Sequence, residues 1–407
     1  MQIRSITCFI DPSNPINDRT LRLAGEFLRI AKLVFVDAGY EVQSERLASL
    51  PFPSLLQSAG PSGLAKLAQQ FEQAAAIAGY AYVSLGPAFP HQLEWYEAIP
   101  EALAATQNAF FAGSLTTSEG EISLAAIHGS AQVIQRASTI SADGFTNMRF
   151  AALANVSPGC PFFPAAFHQG GNARFALATE AADLAVDAFS QANSLQEARQ
   201  NLVMAMQTHG RSLADLAYQV EGRTGVQFGG IDLSLAPYPE QGRSLGTAME
   251  HLGVPKLGVH GSLAAAAILA GTMDQAEFLR AGFCGLFLPV LEDATLAARV
   301  ADGSLELMDL LLYSAVCGTG LDTIPLPGDT SVEELSSILL DVASLSSRLG
   351  KPLTARLMPI PRKFAGDPTH FDFAYFANSR VMPMRVAPLG RFLAGGEQFS
   401  LKPRPRR

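Results

Sequence analysis

A chain of 407 residues, 48% hydrophobic and only 16% charged, has enough apolar material for one large core or two fused lobes, and its sparse surface charge points to a homo-oligomer. A net charge of −8 argues against non-specific nucleic-acid binding, and no uncharged apolar run reaches the roughly 18 residues of a membrane span. Four cysteines, Cys8, Cys160, Cys284 and Cys317, are too widely spaced for a zinc knuckle, an iron–sulfur run or a disulfide framework, and the strand-like start lacks the apolar core of a signal peptide, so a cytoplasmic protein is expected.

Residues 3–10 alternate as a strand and are followed by a Pro/Asn-rich turn. Over about 17–38, Leu21, Ala24, Phe27, Leu28, Ala31, Val34 and Phe35 recur at helical spacing, and Gly39 is a natural stop. Residues 40–47 return as a strand, so the chain opens with a β-α-β unit of parallel strands. The alternation continues: helices near 61–79 and 91–104 lead to strands at 81–85 and 110–114, and a helical stretch at 121–140 leads to a strand at 148–156. This predicts an α/β architecture. No repeat or linker divides the sequence, so residues 1–407 read as one domain, with 392–407 as a flexible basic tail.

Residues 157–171 hold three prolines, three glycines and several aromatics, the composition of a packed loop at a cleft wall. Helices are expected over 175–192 and 195–221. The strand beginning at Gln227 ends in Asp232-Leu-Ser234-Leu-Ala-Pro237, and polar groups just beyond a strand suit an α/β ligand site. Ser244 reads as a helix cap. The Gly258-Val-His260-Gly261 turn before a small-residue helix matches neither dinucleotide nor P-loop spacing. Residues 282–291 read as an apolar strand, and 304–314 as a helix.

The centre of interest is Tyr313-Ser-Ala-Val-Cys317-Gly-Thr-Gly320-Leu-Asp322-Thr-Ile-Pro325-Leu-Pro327-Gly328-Asp329-Thr330. Its glycines and prolines predict an elaborate loop that presents a thiol and two carboxylates. A capping-box spacing at Thr330–Glu333 starts the next helix, which ends at Gly350. Residues 353–363 form a strand running into a basic, proline-braced loop. Cys317 fits a nucleophile or acid/base thiol, or a buried structural thiol in a turn, and Asp322 a base, a metal ligand or a helix cap. His168 and His260, both in glycine-rich loops, are acid/base candidates or hydrogen-bonded core histidines. Arg356 and Lys363 suit an anionic substrate, with a structural pairing to an Asp as the alternative for Arg356. Asp232, Ser234 and Asp329 are substrate-binding candidates, Asp329 equally a helix-end residue. These carboxylates and histidines offer ligands for a divalent metal without diagnostic spacing.

Taken together, Gly230-Ile-Asp232-Leu-Ser234-Leu-Ala-Pro237, Cys317-Gly-Thr-Gly-Leu-Asp322, Pro325-Leu-Pro327-Gly328-Asp329-Thr330, Arg356-Leu-Met-Pro-Ile-Pro361 and Pro161-Phe-Phe-Pro-Ala-Ala-Phe-His168 resemble domain-of-unknown-function family 711, from the first strand to about Met382. The resemblance implies a single α/β barrel of the pyruvate formate-lyase-like, glycyl radical enzyme kind, in which loops projecting into the barrel carry the chemistry. It implies no established reaction. No recognisable glycyl radical loop is present: Gly390, Gly395 and Gly396 lie in a poor substitute, which disfavours radical chemistry. Where relatives tend to show Pro-x-Pro-Gly-Lys, this chain has Pro359-Ile-Pro361-Arg362-Lys363. The leading expectation is an enzyme, lyase or transferase in class, that acts on a small anionic metabolite by non-radical acid–base or thiol chemistry. A non-catalytic metabolite sensor and a glycyl-radical-type enzyme are the alternatives.

Overall fold

The computed structural model describes residues 1–57, 59–316 and 318–403. The strands are β1 (Gln2–Phe9), β2 (Glu45–Ala48), β3 (Tyr82–Ala88), β4 (Ala109–Ser114), β5 (Ile122–Ser123), β6 (Phe150–Ala154), β7 (Arg174–Glu180), β8 (Gln227–Asp232), β9 (Gly320–Pro327), β10 (Leu353–Ile360) and β11 (Gln398–Phe399). Nine of them form one sheet in the order β8-β7-β1-β2-β3-β4-β6-β10-β9. β1, β2, β3, β4 and β6 run parallel to one another. β7 and β8 are mutually parallel but antiparallel to β1, and β10 and β9 are mutually parallel but antiparallel to β6. The sheet is therefore a central block of five parallel strands flanked on each side by a parallel pair that runs the opposite way. β11 and β5 make a separate antiparallel pair, placing residues 398–399 of the expected tail against the body.

Neither edge of the nine-stranded sheet is bare. The segment 279–290 forms a parallel bridge to β8 at Ile231–Arg280 and another to β9 at Pro289–Asp322. Backbone bonds Ile231 N–H to Leu279 O (2.8 Å), Ala281 N–H to Ile231 O (3.0 Å) and Val290 N–H to Asp322 O (3.1 Å) tie it to both.

Helices cover one face of the sheet because their sequences carry apolar stripes. In Asp18–Asp37, Leu21, Ala24, Phe27, Leu28, Ala31, Val34 and Phe35 are buried at helical spacing, and Asn17 caps the helix by accepting from Arg19 N–H and Thr20 N–H. The opposite face is closed by the loop 157–171. Phe162, Cys160 and Ala165 pack on Ala112, Ala151 and Leu153, while Phe163 and Ala166 pack on Phe9, Ala48, Phe110 and Ala176. Thr7 Oγ1 donates to Pro161 O (2.9 Å) and Ser84 Oγ to Ala166 O (2.7 Å), so strand hydroxyls pin the loop. Among the described residues no helix is long and apolar enough to cross a membrane.

Four sequence expectations change. Residues 282–291, read as an apolar strand, form no regular strand and contribute only the bridge at Pro289. Residues 174–180 form β7, with the helix confined to Ala182–Gln191; the run Phe-Ala-Leu-Ala-Thr-Glu is apolar without a clear period, and pairing with β1 decides it. The stretch after Cys317, expected as a loop, becomes β9. Its prolines are tolerated because the regular ladder lies on one side only, against β10. Gly320 takes φ +104°, and a Cβ there would overlap Thr354 O of β10, so this close approach requires glycine. The capping box also forms one residue later than expected, between Ser331 and Glu334, and Gly350 ends that helix in the left-handed conformation.

Candidate functional site

Two β-bulges bring charged residues together. β9 carries one extra residue opposite Arg356, since the register slips between Ala355–Leu321 and Leu357–Ile324; Thr323 there has φ +43°. On β1, Arg4 is itself the extra residue between Ile3–Thr179 and Ser5–Ala178. Bulges re-aim side chains, and here they support a buried ion-pair chain. Arg356 Nε donates to Asp322 Oδ1 (2.5 Å) and its Nη2 to Asp322 Oδ2 (2.9 Å) and Glu292 Oε1 (2.9 Å). Arg4 Nη2 bonds the second oxygen of Glu292. Arg356, Asp322 and Glu292 are each no more than 2% exposed.

The charges are unequal in their surroundings. Burial alone would raise the Glu292 carboxyl, but Arg4 and Arg356 outweigh it and hold the group below the usual carboxylate range. Asp322 is raised by burial, with Arg356 opposing. Arg356 also lies over the Phe162 ring at 5.7 Å, so the loop 157–171 supplies part of its enclosure.

These residues border a cavity of about 180 Å³ lined by four arginines, Arg4, Arg46, Arg149 and Arg356, against one carboxylate, Glu292. Arg149 is spent on backbone carbonyls, donating to Leu103 O (2.8 Å) and Thr106 O (3.0 Å). Arg46 differs. Its Nε donates to Ser44 Oγ (3.0 Å) and its guanidinium lies over Phe163 at 5.2 Å, yet among the described residues it has no ion-pair partner. Burial, with repulsion from Arg4, lowers its pKa to about 9, so it remains a cation at neutral pH. Arg4 Nη1 is buried without a hydrogen-bond partner. The cavity therefore presents cationic donors without enough internal anions to use them.

A second cavity of about 380 Å³ holds His168, Cys160, Arg174 and Arg280. His168 is 2% exposed, its Nε2 has no partner, and burial pushes its pKa down. The Cys160 thiol is driven well up by burial, which leaves it unreactive as a nucleophile at neutral pH.

The remaining sequence candidates fall apart from these groups. Asp232, itself buried, accepts from Phe283 N–H (2.8 Å), Cys284 N–H (3.1 Å), Ser234 N–H (3.1 Å) and Ser234 Oγ (2.5 Å), while Ser234 Oγ accepts from Gly285 N–H (3.1 Å). The pair thus holds the 282–285 turn of the edge-bridging segment. His260 and Asp329 are exposed, and Lys363 is half-buried in the loop after β10. Cys317 lies outside the described residues. No three His, Cys, Asp or Glu side chains gather as a metal ion would need, among the described residues. Sequence reasoning found Asp322 and Arg356 but missed Arg4, Arg46 and Glu292. Arg46 sits in a four-residue strand where a lone charge looks like an edge residue, whereas Arg4 sits within the eight-residue, largely buried β1, and an arginine inside a buried strand was the available signal there.

The fold and its arginine-walled cavity define an α/β protein with an enclosed cationic site. Residues 1–376 match the family described as Uncharacterised ACR (DUF711), and the chain belongs to that family. Relatives include a UPF0210 protein of Pelotomaculum thermopropionicum, 28% identical over 97% of this chain and 93% of the relative, and one of Methanosarcina acetivorans, 28% identical over 94% and 88%. A UPF0210 protein of Oenococcus oeni is 26% identical over 89% of this chain and 83% of its own.

Proposed function

We propose that the protein is an enzyme acting on a small organic anion held by Arg46 and the free Nη1 of Arg4. The observation that carries this reading is Arg46, whose guanidinium, in the wall of the cavity, has one hydrogen bond, to Ser44 Oγ, and no carboxylate partner among the described residues, whereas Arg4 and Arg356 pair with carboxylates and Arg149 bonds backbone carbonyls. A half-buried guanidinium with no carboxylate in ion-pair contact is stabilised by binding an external anion. Arg356 then acts as a positioning residue, since its donors are taken by Asp322 and Glu292. We read the sheet as closing into a barrel of the pyruvate formate-lyase-like kind through the segment 279–290, because that segment bonds both edge strands and runs parallel to each. The site would then lie at one mouth of the barrel and His168 at the other. Non-radical proton transfer suits the groups lining the cavity, Glu292, Tyr82 and Tyr375; burial raises the Tyr375 hydroxyl and keeps it a proton donor.

The second reading, a metabolite sensor, is favoured by the absence of any described His or Cys from this cavity. A thermal-shift screen of small carboxylates and inorganic phosphate on wild type and Arg46→Gln, with hits followed for turnover, tests both. Stabilisation lost in Arg46→Gln supports the site, and stabilisation unchanged in that variant refutes it. Conversion by wild type but not by Cys317→Ala supports thiol chemistry, whereas a ligand returned unchanged supports the sensor.

A further inference from the structure

The walls of the arginine cavity constrain the rest of the ligand. Resting on the anion-binding reading above, we propose that the anion is an aryl carboxylate: one aromatic ring bearing a carboxylate that faces Arg46.

Size is the first argument. Benzene occupies an engineered apolar cavity of roughly 150 Å³, and this one measures about 180 Å³, enough for a single six-membered ring and a carboxylate. The lining is the second. Seven aromatic side chains border the space, and Met148 is the one aliphatic side chain among them; no Leu, Ile, Val or Ala contributes. Aliphatic walls select shape alone, whereas ring faces and edges also select the quadrupole of an incoming ring. Tyr82 meets Phe110 edge to face at 5.5 Å and 85°, and Phe110 meets Phe163 at 5.4 Å and 62°. Phe373 and Tyr375, 5.2 Å apart, belong to a separate segment after β10 and border the same space.

Charge placement is the third argument. Arg46 lies over Phe163 within this aromatic wall. A carboxylate attached directly to a ring is coplanar with it, which matches a planar guanidinium already stacked on an aromatic face. The exposed amides of Gln107 and Asn108 border the cavity as well, placed to meet a ring hydroxyl or amino substituent.

Isothermal titration calorimetry of the full chain with benzoate, cyclohexanecarboxylate and acetate tests this. Benzoate should bind wild type about tenfold more tightly than cyclohexanecarboxylate, the upper end of an aromatic-pair preference. Tyr82→Leu, at a half-buried position, should narrow that ratio to about twofold. Arg46→Gln should weaken both ring carboxylates by about the same factor. Equal binding of benzoate and cyclohexanecarboxylate to wild type, with both still weakened by Arg46→Gln, overturns the aryl inference and leaves the anion reading standing. No binding of any probe, or binding indifferent to Arg46→Gln, overturns both.

Discussion

Arg356→Met removes the cation at the centre of the buried ion-pair chain. Glu292 keeps Arg4, but Asp322 loses both charge-assisted donors while staying 1% exposed. Breaking a buried pair by deleting one partner costs about 3–5 kcal/mol. At roughly 2.1 cal/mol/K per residue, a chain of 407 residues has an unfolding entropy near 0.85 kcal/mol/K, so Tm should fall by about 4–6 °C. Asp322→Leu alone should cost a similar amount by stranding Arg356. The double variant, with neither charge, should recover about 2–3 kcal/mol relative to the sum of the singles. Urea denaturation followed by circular dichroism measures all four corners of the cycle. Single losses that add to within about 0.5 kcal/mol in the double variant would show that the two side chains do not depend on one another, and the reasoning fails.

Three further predictions follow from named contacts. Because the folded Glu292 carboxyl lies below its ordinary value, the unfolded chain binds its proton first as pH falls; its contribution is full above about pH 5 and fades as pH drops through the folded value. Glu292→Gln should therefore flatten the acid limb of a urea-midpoint profile between pH 3 and 7, and an unchanged limb refutes this. Gly282 has φ +66° and its Cβ position overlaps the Asp232 carboxylate, whereas Gly253, at φ +101°, has open space. Gly282→Ala should cost about 1–3 kcal/mol more than Gly253→Ala, because the Asp232 bonds break as well; equal thermal midpoints would mean that Asp232 does not hold the turn. Met308, Leu312 and Val316 expose one side of the helix Leu307–Val316, so light scattering should give a multiple of 43.2 kDa, reduced by Leu312→Lys. A monomeric wild type excludes the oligomer.

Helix ends and alternating elements were legible because they depend on neighbours in sequence. Asn17, Ser244 and Gly350 act where composition placed them. β9 was not legible, because its glycines and prolines signal a loop until β10 is alongside. The site divided on the same line. Asp322 and Arg356 stood out from their motifs, but their direct pairing depends on a bulge opposite Arg356, and Arg4 reaches Glu292 from 288 residues away. Arg46 carries no motif at all. Its importance lies in what surrounds it, and a sequence does not list a missing counter-ion.

The segment 279–290 has a consequence for the life of the protein among other proteins. A sheet edge with unpaired N–H and C=O groups is a template for strand addition by any extended chain. Here one stretch of chain occupies both outer margins, hooked to β8 by its beginning and to β9 by its end. Asp232 and Ser234 secure the first of these hooks. Substitutions there would therefore leave a β-rich surface open to self-association, and aggregation would report the loss before any change in ligand binding.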